Sequence, residues 1–166
     1  HQLDTMGKRQ NDLYADLDQR VADLARAAQS APAPTAGSQT DAQAESKSYD
    51  AALKLFREAD YPGAIAGFND FLKTYPDSAM AANAQYWIGY SYYARKDYKT
   101  SLTHQQKLVA NYPASPKVPD ALLNIAANQI ALDNINGARK TLKELVAKYP
   151  GTEPAKLAAK RLSALK

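Results

Sequence analysis

The chain has no cysteine among its 166 residues, which excludes disulfides, thiolate metal sites and a cysteine nucleophile. Histidine is nearly as scarce. His1 and His104 are the two, far apart and without ligand spacing to carboxylates, so no metal site and no cofactor is expected, and His104 beside Gln105 and Gln106 reads as a surface residue. The seven glycines form no G-x-G-x-x-G, P-loop or G-x-S-x-G stretch, so neither a nucleotide cradle nor a nucleophile elbow is present. Acidic pairs such as Asp16 and Asp18 lie on exposed helix faces, and no catalytic constellation emerges. No run of about 18 apolar residues occurs, so no membrane span is expected, in keeping with a mean hydropathy of −0.52. The chain does not begin with Met and shows no basic-then-apolar signal segment, so a processed chain is expected.

What is present begins with charge. The net charge of +4 is uneven: residues 1–48 carry 5 Lys/Arg against 7 Asp/Glu, and residues 49–166 carry 16 against 10. The basic excess reads first as solvated lysine-rich helix faces, with preference for an acidic partner as the alternative. Nucleic acid is not expected, because no clustered basic stripe or aromatic RNA motif appears.

Three zones follow along the chain. In residues 1–28, Leu3, Met6, Gln10, Leu13, Leu17, Arg20, Leu24 and Ala27 recur at three- and four-residue steps, a heptad seam. A lone helix of this length is marginal in water, so it is expected to pack on copies of itself as a coiled coil. The seam alone leaves two strands and three both open. Residues 29–46 are rich in Ala, Pro, Ser, Thr and Gln and poor in large apolar groups, and read as a flexible tether.

Residues 47–166 hold a repeat. Tyr-Pro occurs at Tyr75-Pro76, Tyr112-Pro113 and Tyr149-Pro150, 37 residues apart both times. The same step aligns the small residues Ala52, Gly89 and Ala126, and again Ala64, Ser101 and Ala138. Phe68 and Leu142 align as large apolar residues, with Gln105 the exception between them. Loop signals lie between the two small positions, and each proline closes a unit. The expected fold is all-α: three helix pairs over about 47–76, 77–113 and 114–150, then a capping helix over 152–165, seven helices arranged as an α-solenoid.

Small residues at the eighth and twentieth positions of each unit, with Pro at the thirty-second, match the tetratricopeptide pattern. The period is three residues longer than the usual 34, and Trp87 sits two places beyond the expected early aromatic. Narrower phrases carry a further likeness. They are Phe71-Leu72-Lys73-Thr74-Tyr75-Pro76-Asp77-Ser78, Asn83-Ala84-Gln85-Tyr86-Trp87-Ile88-Gly89, Val109-Ala110-Asn111-Tyr112-Pro113-Ala114-Ser115-Pro116-Lys117 and Lys148-Tyr149-Pro150-Gly151-Thr152. With the seam and the tether ahead of them, they make the chain resemble the Tol-Pal-associated YbgF/CpoB cell division coordinator family. The resemblance implies a non-enzymatic periplasmic protein of Gram-negative bacteria that trimerises through its coiled coil. It implies binding to TolA and the coupling of septal peptidoglycan synthesis, by a bifunctional penicillin-binding protein, to outer-membrane constriction.

The candidate binding residues come from helix faces. Tyr86, Tyr90 and Tyr93 share one face of the first helix of the middle repeat, beside Trp87. By repeat position that face is expected to line the concave groove of the superhelix, with Tyr49, Leu53 and Phe56 as its equivalents in the first repeat and Leu123, Ala127 and Ile130 in the third. The competing reading is that these rings pack between repeats. Asn83, Asn124 and Asn128 are expected to hydrogen-bond a docked peptide backbone, and Arg57 and Arg95 to steer an acidic partner. Aromatic and aliphatic residues stand where a carboxylate clamp would need Lys, Arg and Asn, so that mode is not expected. Alanine at Tyr86, Trp87 and Tyr90 is expected to weaken binding with melting unchanged. Two alternatives are a tetratricopeptide scaffold of another envelope assembly or secretion complex, and an outer-membrane lipoprotein-like assembly factor. The latter would need a lipidated cysteine, absent from these 166 residues.

Overall fold

The computed structural model describes residues 36–165, with backbone alone for residues 36–40. The expected coiled coil and its seam, and the first part of the expected tether, lie outside the described residues. Among the described residues the fold is all-α, with seven helices: α1 Ala36–Arg57, α2 Tyr61–Thr74, α3 Ala81–Ala94, α4 Tyr98–Asn111, α5 Val118–Ala131, α6 Ile135–Lys148 and α7 Glu153–Ala164.

Helix α1 departs from the expectation of a tether reaching to residue 46, because residues 36–46 are already helical. The segment lacks large apolar groups, but its Ala, Gln and Glu are good helix formers, so it extends a helix nucleated by the packed residues beyond it. Glu45 also accepts a hydrogen bond from the Ser78 hydroxyl.

The tight turn inside each helix pair has one design, repeated every 37 residues. Ala59, Lys96 and Asp133 sit in the left-handed region at φ 63°, 65° and 63°. The following N–H groups, of Asp60, Asp97 and Asn134, donate back to the carbonyls of Leu55, Tyr92 and Gln129 at 2.9, 2.9 and 2.7 Å. The left-handed residues themselves donate to Phe56, Tyr93 and Ile130, completing three Schellman closures. The side chains of Asp60, Asp97 and Asn134 then cap the next helix, accepting from the N–H of Gly63, Thr100 and Gly137 at 3.1, 3.4 and 3.0 Å. At the other end of each pair, Tyr75, Tyr112 and Tyr149 close α2, α4 and α6 by donating their N–H to Phe71, Leu108 and Leu145. The prolines that follow offer no N–H to continue the helix.

The chain divides into two compact units, between Ala84 and Gln85, within α3. In the first, α1 turns Tyr49, Ala52, Leu53 and Phe56 onto Ala64, Ile65, Phe68 and Phe71 of α2, all buried. Small residues let the two helices close: a Cβ placed on Gly67 would lie 2.9 Å from that of Ala52. In the second unit α5 is buried nearly all round, because α4, α6 and α7 all pack on it.

Candidate partner-docking face

Burial separates the residues chosen from the sequence into two groups. Tyr49, Leu53 and Phe56 are 0, 1 and 4% exposed, so they form the core of the first unit rather than line an open face. The Tyr49 ring meets Phe68 and Phe71 edge-on, at centroid distances of 5.4 and 5.6 Å. Tyr86 and Trp87 are likewise buried. Alanine at either would open a cavity, so the expectation of unchanged melting is corrected for these two positions. Asn83 is half-buried in the first unit.

Within the second unit, α3 carries a continuous series of rings. Tyr86 touches Trp87 and Tyr90, Tyr90 touches Tyr93 at 5.7 Å, and Tyr93 touches Tyr98 at the start of α4 at 5.6 Å. The inner end is closed by Lys117, whose Nζ lies 4.5 Å from the Tyr86 ring centre and 5.4 Å from that of Trp87, a cation–π arrangement at a buried lysine. The outer end, Tyr90, Tyr93 and Tyr98, is half-buried. Burial pushes the Tyr93 hydroxyl pKa up, against a lowering pull from Arg161, with the neighbouring Tyr98 adding to the rise. At neutral pH that hydroxyl is therefore a neutral donor and acceptor held beside a cation.

The asparagines do something other than expected. Asn124 and Asn128 are buried and belong to a polar network joining α3, α4 and α5. Gln105 Nε2 donates to the Tyr86 carbonyl and to Asn124 Oδ1, both at 3.1 Å. Ser101 Oγ donates to Asn124 Oδ1 at 3.3 Å and accepts from Asn128 Nδ2 at 2.8 Å. With these amides already engaged inside the protein, neither asparagine meets a peptide backbone on an outer surface. Gln105 was visible in the sequence as the one polar residue at its repeat position, but its partners come from other helices.

His104 is half-buried, against the expectation of a surface residue. Its ring stacks on Tyr92 at 5.2 Å and 9°, and its Nδ1 lies 3.0 Å from Gln85 Nε2. Lys117 and the His104 contacts were missed because nothing in their local spacing marks them. Among the described residues, no helix is long and apolar enough to cross a membrane.

Comparison with known proteins agrees with the repeat. A family model described as YfiO, outer membrane lipoprotein, matches residues 41–166. Two Pseudomonas putida proteins, each named Cell division coordinator CpoB, are 46% identical to this chain over 57 residues, which is 34% of the chain. That stretch covers 21% of each relative, so the chain spans about a fifth of the length of the curated relatives it matches. The resemblance to the YbgF/CpoB coordinators is thus borne out. Since its family match takes in more than half of the chain, the protein belongs to the YfiO family, with tetratricopeptide-like helix pairs.

Proposed function

We propose that this protein is a non-enzymatic adaptor of the Tol-Pal system that docks a segment of a partner protein on the half-exposed tyrosines of α3 and α4. The observation that carries the reading is the series Tyr90–Tyr93–Tyr98, three adjacent half-buried rings that keep part of their surface exposed. Rings of this kind supply large contact area at low entropic cost, and their hydroxyls fix orientation. The relatives' name, cell division coordinator, supports a role in division. On this reading the chain works in the periplasm of a Gram-negative bacterium and binds TolA. It coordinates septal peptidoglycan synthesis, through a bifunctional penicillin-binding protein, with outer-membrane constriction. Residues 1–28 assemble it as a homo-oligomer, a trimer in this proposal, and the repeats occupy 47–166.

The test is a titration of the periplasmic part of TolA against the wild type and against Tyr90→Ala and Tyr93→Ala, with helix content and melting followed in parallel. Weakened binding by folded variants supports the face; equal affinity sinks it. Light scattering with and without residues 1–28 tests the oligomer. The family description favours a second reading, a scaffold of another outer-membrane assembly. Recovery of such an assembly and not of Tol-Pal proteins from a periplasmic extract would select it.

A further inference from the structure

Gln85 Nε2 lies 3.0 Å from His104 Nδ1 and 3.2 Å from the His104 carbonyl oxygen. A carbonyl oxygen only accepts, so its contact orients the Gln85 amide with the NH2 group toward position 104. That NH2 group has no lone pair to offer, so His104 Nδ1 is the acceptor and the ring proton sits on Nε2. The ring is therefore neutral. Its second hold is the Tyr92 ring, stacked on it at 5.2 Å. Gln85 and Tyr92 lie two turns apart on α3, and one imidazole on α4 grips both.

Protonation would place an N–H at Nδ1 against the Gln85 NH2, donor facing donor. Turning the amide over would offer Oε1 to the imidazolium but set that oxygen against the His104 carbonyl. Neither orientation satisfies both atoms. The charged groups around it give the cation little help. Helix α3 contributes only the tyrosines 86, 90, 92 and 93 as titratable groups and carries no charged residue. Helix α4 contributes Lys99 and Lys107, and its cap Asp97, two turns before His104, accepts from the Thr100 N–H. Helix α5 packs on α4 through Asn124 and has Asp120 as its one charged residue, with Lys117 just ahead of it over the Tyr86 and Trp87 rings. Burial and then Lys107 hold the imidazole below the ordinary histidine value.

We propose that His104 is a pH-sensitive clasp between α3 and α4: stacked on Tyr92, it holds the Gln85 amide when neutral and releases it when protonated. The clasp stands independently of partner docking. It is tested by an NMR titration of the full chain from about pH 8 to about pH 5, following the His104 ring and the side-chain NH2 of Gln85. The ring is expected to titrate below about 6.5, with the Gln85 NH2 losing its exchange protection at the same midpoint. His104→Phe keeps a ring for Tyr92 to stack on and is expected to abolish the transition. Gln85→Ala, which removes the opposing donor, is expected to move the His104 midpoint upward. A wild-type midpoint at or above about 6.5, an unmoved Gln85 signal, or the same transition persisting in His104→Phe overturns the proposal.

Discussion

Gly89 on α3 lies directly against Gln105 on α4: a Cβ at position 89 would come within 2.6 Å of Gln105 Nε2. The amide is held in place by the Tyr86 carbonyl and Asn124 Oδ1, so it has little room to withdraw. The other repeats solve the same position differently, with Ala52 and Ala126 in place of the glycine and Phe68 and Leu142 in place of the glutamine, all buried. Gly89→Ala would gain about 1 kcal/mol of helix propensity. Overpacking costs about 1–3 kcal/mol and wins, so a net loss of about 1 kcal/mol is expected in urea unfolding. Combined with Gln105→Leu, which restores the pairing of the third repeat, the two changes should be non-additive by about 1–2 kcal/mol. Strict additivity in that cycle would contradict the contact.

The three Schellman turns use Ala59, Lys96 and Asp133 at positive φ, where only glycine is free of a Cβ penalty. Ala59→Gly and Lys96→Gly are each expected to raise stability by about 0.5–1 kcal/mol, read as a higher urea midpoint at unchanged slope. Asp133→Gly should gain less, because aspartate tolerates this region better. A loss of stability in Ala59→Gly would show that the turn is unstrained.

These turns mark where the sequence was legible. Each Tyr-Pro announced a helix end, because proline withholds an N–H and displaces its predecessor from helical geometry. The small residues at 52, 64, 89, 101, 126 and 138 announced close helix pairs, and all six are buried. The left-handed residues were invisible, since none is glycine and the strain they carry is offset by the hydrogen bonds around them. The start of α1 was hidden for a different reason: Ala, Gln, Ser and Glu suit a tether and a helix alike, and only packing further along decides. In the candidate site, periodicity placed Tyr86, Tyr90 and Tyr93 on one face. It could not say that Tyr86 would be covered and Tyr93 half-open, because that depends on Lys117 and other residues brought in by later helices.

Two titrations give opposite slopes. His104 is held below its ordinary value, chiefly by burial, so the unfolded chain takes up the proton first as pH falls. Its contribution is complete above about 6.5 and is lost as pH falls toward the folded value. Tyr93 is held above its ordinary value by burial, so the folded chain keeps its proton longer. Its contribution is complete below about 10 and is lost as pH rises through the folded value. Urea midpoints of His104→Phe should lack the acid-side loss seen in the wild type, and those of Tyr93→Phe the alkaline one. Parallel curves for variant and wild type in either window would refute the corresponding assignment.

Burial also dictates which aromatic substitutions can report on docking. Tyr49 and Trp87 are each 0% exposed, and truncating so large a buried ring costs about 3–5 kcal/mol through lost transfer energy and the cavity left behind. Tyr49→Ala and Trp87→Ala are therefore expected to unfold at much lower urea, and any loss of partner binding they show would report on folding. Tyr90→Phe and Tyr93→Phe keep the ring contacts and remove only a hydroxyl at half-buried positions, so a change within about 0.5–1.5 kcal/mol is expected. A binding defect in Tyr90→Phe or Tyr93→Phe at near wild-type stability would trace recognition to the hydroxyls. If Trp87→Ala were as stable as wild type, the inner end of the ring series would have to be open, contrary to its burial beside Lys117.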